Sequence, residues 1–163
     1  MKRIGVVDTM FARVDMGGIA LAALVKKEGH GSEFDVLRRT VPGFKDLAVA
    51  ARFMIQREGC DIVVACGMPG GAELDRLCAH EASLGIMMAQ VAAMTPILEV
   101  FVHESEARDN EQLLALCQDR CAKHALNAHD MIFDPQSLVA RAGQGVRQGA
   151  PDVGPLSELL ATA

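Results

Sequence analysis

The sequence lacks the features that would place it among membrane or nucleic-acid-binding proteins. It has no run of about 18 apolar residues free of charge and proline, so no helix is expected to span a membrane. Its 16 basic residues are outnumbered by 21 acidic ones, which gives a net charge of −5, and the basic residues form no run. Such a chain is a poor match for a phosphate backbone, and we expect no nucleic acid partner.

Aromatic residues are also scarce, because the chain has no Trp and no Tyr. Its six Phe therefore supply every aromatic side chain, and a Phe outside the core stands out. The five Cys are an odd number, which is typical of reduced thiols rather than of a disulfide framework. The first residues run straight into a strand pattern without the apolar stretch of a signal peptide, so we expect a cytoplasmic protein.

The chain has 163 residues, half of them hydrophobic, which is enough to build a core. At about 150 residues per domain, this length predicts a single domain over residues 1–163. Residues from about 156 onward are expected to form a tail that frays.

Strand and helix patterns alternate along the chain. Short apolar runs predict strands at residues 4–7, 34–38, 61–66 and 97–102. Apolar residues at helical spacing predict helices at residues 14–27, 47–57, 73–94 and 110–128, with Asp46 as an N-cap and with Gly29 and Gly59 as stops. This alternation predicts an α/β fold with a parallel four-stranded sheet and helices on both faces, as in flavodoxin-like sandwiches. From residue 130 onward the pattern is less regular.

Ligands of open parallel sheets bind beyond the carboxyl ends of the strands. This rule selects residues 8–13, 40–46, 67–71 and 103–105, which together carry enough polar groups for a small-molecule site. Phe11 lies in a loop and either caps the core or offers a stacking platform for a flat ring.

Two adjacent pairs, His80–Glu81 and His103–Glu104, carry groups suited to proton transfer near neutral pH. Neighbouring side chains point in different directions on a helix or a strand, so we expect one member of each pair to reach a given pocket. A third cluster, Cys117, Cys121 and His124, shares one helical face. Because one helix does not supply closed tetrahedral coordination, we interpret it as core rather than as a metal site.

Six segments in order resemble a known family: residues 5–15, 40–47, 67–70, 78–85, 99–104 and 145–149. The runs CAHEASLG and VFVHE are the most specific. They are similar to the archaeal-type riboflavin synthases, which are relatives of lumazine synthase, and the resemblance covers residues 4 to about 155.

The resemblance implies a transferase reaction. Two molecules of 6,7-dimethyl-8-ribityllumazine dismutate by transfer of a four-carbon unit, which yields riboflavin and 5-amino-6-ribitylamino-uracil. It also implies a cyclic homopentamer with sites between subunits, lumazine synthase-like in fold, and no flavin or nicotinamide cofactor. A requirement for Mg²⁺ or Mn²⁺ is left open.

The resemblance also suggests roles for individual residues. Phe11 would stack on the substrate, and His103 or Glu104 would transfer the proton, with His80 or Glu81 of a neighbouring chain as the alternative. The remaining substrate-binding residues would contact the ring oxygens (Asp8, Thr9 and Arg13), the ribityl chain (Val41, Pro42, Gly43 and Asp46) and the pyrimidine (Gly67 and Met68).

Three residues depart from the family pattern: Ala48, Gly71 and Leu74. The main alternative activity is that of 6,7-dimethyl-8-ribityllumazine synthase, which binds a sugar phosphate through an Arg-Gly-Ala-Thr loop followed by a His. Residues 67–75 have no Arg, Thr or His and carry two acids, which argues against a phosphate site there. A second alternative is a lumazine- or flavin-binding protein without turnover.

Overall fold

The computed structural model describes residues 1–28 and 34–156. The roles predicted for Gly29 as a helix stop and for residues 157–163 as a tail lie outside these ranges. Four strands are present: β1 (Lys2–Thr9), β2 (Phe34–Val41), β3 (Ile62–Gly67) and β4 (Ile97–Phe101). The helices are α1 (Met16–Glu28), α2 (Leu47–Glu58), α3 (Glu73–Ala93), α4 (Asn110–Phe133) and α5 (Pro135–Arg141), with short 3-10 turns at Phe44–Asp46 and Glu104–Glu106.

The four strands form one parallel sheet in the order β2-β1-β3-β4, as the alternating pattern predicts. Helices α1 and α4 pack together on one face and α2 and α3 on the other. Each face buries its own core, because strand side chains alternate between the faces: Val6 lies in the α1–α4 core and Val7 in the α2–α3 core. No helix in the described ranges is long and apolar enough to cross a membrane.

The two residues that flank α2 are those that the sequence predicts. Gly59 ends α2 in the left-handed conformation, with φ of 71°, as predicted. Asp46 stands at the N-cap of α2, but its side chain makes no cap bond to that helix and instead accepts from the backbone N–H of Gly43 at 3.2 Å.

The largest differences from the sequence prediction are the ends of β2 and α4 and one additional helix, whereas β1 and α1 differ by two residues or fewer at each end. Strand β2 runs on to Val41, because Thr40 and Val41 pair with Asp8 and Thr9 of β1. Helix α4 continues past Ala128 to Phe133, where the Phe133 ring packs against Phe34.

Helix α5 falls in the region that the sequence leaves irregular. Asp134 caps it by accepting from Ser137 N at 3.3 Å, and Pro135 occupies its first turn. An aspartate followed by a proline is a helix-start pattern, so the sequence contains the information for this helix.

The interpretation of Cys117 and Cys121 as core residues is confirmed, because both are fully buried in the α1–α4 core.

Candidate functional site at the carboxyl edge of the sheet

Backbone hydrogen bonds hold the ends of the strands together. Met10 N donates to Val41 O at 2.8 Å, and Val102 N donates to Gly67 O at 3.0 Å. The four segments selected from the sequence therefore lie along one edge. Because side chains alternate, the edge has two sides: Asp8 faces α1, whereas Thr9 points toward the α2–α3 layer.

On the α1 side, Asp8 is the centre of a buried ionic network. Arg38 donates to Asp8 Oδ2 at 2.6 Å, and Thr40 Oγ1 donates to Asp8 Oδ1 at 2.7 Å. Arg38 also pairs with Asp15, and these two partners raise the pKa of the guanidinium. A Cβ on Gly17 would lie 2.5 Å from Asp8 Oδ2, so the close fit requires a glycine. Both Asp8 oxygens are thus engaged within the chain.

The loop after β1 carries the exposed aromatic ring. Phe11 is 57% exposed, so it does not cap the core and its ring is available at the edge of the site. Arg13 crosses from this loop to the end of β4, where it pairs with Glu104 at 3.1 Å and donates to Asn110 Oδ1 at 2.9 Å. Asp8, Arg13 and Arg38 are among the residues that line a cavity of about 220 Å³ beneath the loop.

On the α2–α3 side, the rings of Phe44 and Phe101 pack edge to face at 4.8 Å between centroids. A Cβ on Gly67 would lie 2.6 Å from the Phe44 ring, so the packing of this ring against the end of β3 requires a glycine. The loop that would hold the ribityl chain precedes Phe44, with Pro42 exposed and Val41 half-buried. The carboxylate of Asp46 is exposed and closes this loop through Gly43 N.

Besides Asp8, two of the proposed binding residues have buried side chains. The Met68 side chain is 2% exposed and packs in the α1–α4 core, so it does not face the edge. The Thr9 hydroxyl is also buried, and it has no hydrogen-bond partner within residues 1–28 and 34–156.

The end of β4 separates His103 from Glu104. His103 is half-buried, and its backbone N–H donates to Glu106 Oε1 at 2.9 Å. Glu106 in turn accepts from Arg120 of α4 at 2.6 Å, and this hydrogen bond lowers the pKa of the Glu106 carboxyl. The carboxylate of Glu104 is paired with Arg13, whereas the imidazole of His103 makes no hydrogen bond or ion pair within residues 1–28 and 34–156.

The other pair, His80 and Glu81, lies exposed on α3. Glu81 pairs with Lys45 at 2.7 Å, and this hydrogen bond raises the pKa of the Lys45 ammonium. Among the described residues, no hydrogen bond, ion pair or ring contact joins His80 or Glu81 to His103 or Phe11.

Sequence reasoning missed one half-buried acid, Glu99 of β4. Ser83 Oγ of α3 donates to Glu99 Oε1 at 2.8 Å, and burial raises the pKa of this carboxyl. The sequence did contain a signal for this residue, because Glu99 is the one charged residue in the apolar run 97–102.

The N-terminus of α3 is filled by the acids of the chain itself. Asp75 accepts from Ala72 N at 3.3 Å, and Glu73 stands in the same turn. These carboxylates occupy the place where a helix N-terminus would hold a phosphate. The arrangement therefore disfavours a sugar-phosphate site in this loop.

The parts of the chain that the structure describes contain no cluster of side chains that could bind a metal ion. No three His, Cys, Asp or Glu side chains converge there. The residues do not fit a protein-built Mg²⁺ or Mn²⁺ site, and we derive no step through one.

Comparison with known proteins identifies the family. The family model for 6,7-dimethyl-8-ribityllumazine synthase matches residues 1–135. A riboflavin synthase of Methanothermobacter marburgensis is 51% identical over 156 residues, which cover 96% of this chain and 100% of that protein. Riboflavin synthases of Archaeoglobus fulgidus and Aeropyrum pernix are 40% and 42% identical, over 94% and 95% of this chain and 98% of each relative. The chain therefore belongs to the lumazine synthase-like family, and within it to the archaeal riboflavin synthases.

Proposed function

We propose that this protein is a riboflavin synthase. It converts two molecules of 6,7-dimethyl-8-ribityllumazine into riboflavin and 5-amino-6-ribitylamino-uracil by moving a four-carbon unit from one to the other. The observation that carries this proposal is the similarity to riboflavin synthases over nearly the whole chain. The acid-filled N-terminus of α3 favours this activity over that of lumazine synthase.

The chemistry needs two flat rings held in reacting geometry, which is a task of positioning. Phe11 offers the exposed ring on which a lumazine can stack. In this proposal, the ribityl chain is bound by the loop of Val41, Pro42 and Gly43 and by the exposed carboxylate of Asp46. Arg13 binds the ring oxygens, and Thr9 contributes a hydroxyl that has no partner among the described residues. The backbone of Gly67 and Met68 borders the pyrimidine.

Asp8 acts indirectly in this proposal. Because Arg38 and Thr40 engage both of its oxygens, it fixes the loop that carries Phe11 and Arg13 rather than binding substrate itself. His103 remains a proton-transfer candidate, because it is half-buried at the end of β4 and its ring makes no hydrogen bond or ion pair with the described residues.

The assembly is proposed to be a cyclic homopentamer with sites between subunits. Helix α3 and its C-cap support this, because they present exposed apolar side chains: Leu84, Met87, Met88 and Val91 on the helix and Met94 at the cap. Apolar patches of this kind mark interaction surfaces. His80 and Glu81 lie on the same helix. In the pentamer, these two residues of one copy would reach the site of the neighbouring copy.

The test is incubation of the purified protein with 6,7-dimethyl-8-ribityllumazine alone, followed by riboflavin absorbance. Riboflavin at half the amount of lumazine consumed is the expected result. Lumazine that binds but persists would contradict the proposal and leave a binding protein or a lumazine synthase, which addition of the pyrimidine and the sugar phosphate would separate. A parallel incubation with chelator, restored by Mg²⁺ or Mn²⁺, tests metal dependence.

A further inference from the structure

Glu99 occupies an unusual place for a carboxylate. It lies in β4, where its register partner is Ala65 of β3, and it faces the α2–α3 layer together with Phe101. Strand β4 is the last strand of the sheet, so its far side pairs with no strand in the described ranges. The side chain is half-buried, and Ser83 Oγ of α3 donates to one of its oxygens at 2.8 Å. The other oxygen is left for a further partner.

The surroundings of Glu99 suit a group that exchanges protons. Burial raises its pKa, whereas the Ser83 hydrogen bond and the charge of His103 act in the opposite direction and less strongly. The residues that β3 and α3 place beside Glu99, Ala65 and Ser83, do not titrate near neutral pH. The titratable group that acts on the pKa of Glu99 is His103. A carboxylate with an elevated pKa is a better base for a carbon acid than an ordinary surface glutamate.

The same carboxylate borders the apolar surface of α3. Leu84 and Met87 flank Ser83 along the helix, and both are about half exposed. Such a half-buried acid beside an unpartnered apolar face would be desolvated further when a second copy of the chain covers that face. That second copy is the neighbouring subunit of the proposed pentamer.

Glu99 is screened from the carboxyl edge of its own chain. Phe101 follows it on the same face and packs against Phe44, so the two rings stand between Glu99 and the edge. Phe11 lies after β1, which is two strands away from β4, or roughly 10 Å. In the proposed pentamer, a neighbouring copy would approach Glu99 from the free side of β4.

We propose that Glu99 is the catalytic base of the reaction and acts on the lumazine held by Phe11 of an adjoining copy, with Ser83 as its positioning residue. This inference rests on the proposed function. In the step, the C–H bond of the 7-methyl group breaks and the proton moves to the Glu99 carboxylate. The electron pair stays on the lumazine, where the ring delocalises it. The resulting carbanion is the nucleophile for the second lumazine.

The first test replaces Glu99 by Gln, which keeps the size of the side chain and an acceptor for Ser83. We expect E99Q to bind the lumazine as the wild type does, by its absorbance shift, while kcat falls about 100-fold or more. Glu111→Gln, at an exposed acid in the first turn of α4, is the matched control and should keep wild-type turnover. An active wild type with an equally active E99Q overturns this inference alone, whereas a wild type that makes no riboflavin overturns the proposed function as well.

The second test asks whether the base comes from another copy. Phe11→Ala and Glu99→Gln chains with different tags are co-expressed, and oligomers that carry both tags are isolated. If each site takes Phe11 from one copy and Glu99 from the next, random mixing restores about a quarter of the sites. Mixed oligomers that stay as inactive as either variant would overturn the placement between copies.

The third test separates a positioning role of Ser83 from a structural one. Because the Ser83 hydrogen bond favours the ionised carboxylate, its loss raises the pKa of Glu99 further. The acid limb of the kcat profile should therefore move to higher pH in Ser83→Ala and return in Ser83→Thr, which keeps a hydroxyl. An unmoved acid limb in Ser83→Ala contradicts the role of Ser83.

Discussion

At the scale of single residues, Gly67 shows how closely the sheet edge is packed. A methyl group on this residue would collide with the Phe44 ring at 2.6 Å, and the ring has Phe101 behind it. We expect Gly67→Ala to lower the free energy of unfolding by about 1–3 kcal/mol, as overpacking does in other cores. Urea unfolding followed by circular dichroism measures this, since the chain has no Trp to report fluorescence.

Gly71 provides the control for that substitution. The nearest atom to a Cβ on Gly71 is a Glu104 carboxylate oxygen at 3.8 Å, which is ordinary contact distance. Gly71→Ala should therefore leave the unfolding midpoint within experimental error. Equal losses in both variants would show that backbone freedom, rather than the Phe44 contact, determines the cost.

The exposed ring of Phe11 leads to a prediction about binding rather than stability. Because the ring is more than half exposed, Phe11→Ala removes little buried surface and should not change the unfolding midpoint. It should weaken lumazine binding by about 1–3 kcal/mol, or roughly 5- to 150-fold in Kd, if the ring stacks on the substrate. Titration of the lumazine absorbance measures this, and unchanged affinity would remove Phe11 from the site.

At the scale of elements, Arg120 fastens α4 to the end of β4. Its guanidinium donates to both oxygens of Glu106 and to the carbonyl of Phe101, at 2.6 to 2.9 Å. The pair lowers the pKa of Glu106 in the folded state, so its stabilisation is present above the ordinary pKa and is lost as pH falls through the lowered one. With about a third of the Glu106 side chain exposed, we expect Glu106→Gln to cost about 1–2 kcal/mol at pH 7.

The pH dependence distinguishes this ion pair from a packing effect. Wild type and Glu106→Gln should converge in unfolding free energy at a pH below the lowered pKa, where the carboxyl of the folded protein is protonated. Glu111→Gln is the control here as well, because Glu111 is exposed at the start of the same helix. A difference that persists at low pH would assign the cost to packing. All measurements belong at one protein concentration, since assembly couples to stability.

The elements also show what the sequence predicts well. The β-branched run of residues 61–66 and the alternation of strands and helices predict the sheet and both layers, because burial on two faces leaves a continuous apolar pattern. The end of β2 was predicted too early, because Thr40 and Val41 precede Pro42 and Gly43 and look like the start of a turn. In the fold Thr40 is a strand residue, and its hydroxyl binds Asp8 beside Arg38.

The site is less predictable than the fold, because the burial and the partners of its residues depend on tertiary contacts. The carboxyl-edge rule selects Asp8 and Phe11 from the sequence, but it cannot tell that one is buried in an ion network and the other is exposed. Glu99 lies in the middle of a strand, where the rule does not look. Its environment depends on Ser83, 16 residues earlier in the chain, and on contacts that only the packing of α3 on the sheet defines.

At the scale of the whole molecule, the exposed apolar surface of α3 leads to a prediction about the proposed pentamer. Met88 and Val91 are each about three-quarters exposed in the single chain. Replacement of Met88 by Lys and of Val91 by Glu should leave the chain folded but split the oligomer, because unpaired charges are costly at a buried interface. Sedimentation velocity should show a shift from five-chain to single-chain mass.

Val139 of α5 offers the control for this surface, because it is also exposed and apolar but lies on another helix. Val139→Lys should keep the wild-type mass. A double α3 variant that sediments as the wild type does would move the interface to another face. If the double variant instead loses assembly and riboflavin formation together, the sites lie between copies.

Because each of the two cores contains buried cysteines, thiol labelling can measure the local unfolding of each face of the sheet separately. Cys60 lies in the α2–α3 core, whereas Cys66, Cys117 and Cys121 lie in the α1–α4 core. Burial raises the pKa of Cys60 and Cys117 to about 11, so neither thiol reacts at an appreciable rate while its layer stays closed. The rate at which a thiol reagent marks each cysteine, resolved by mass spectrometry, thus times the local opening of each face of the sheet independently.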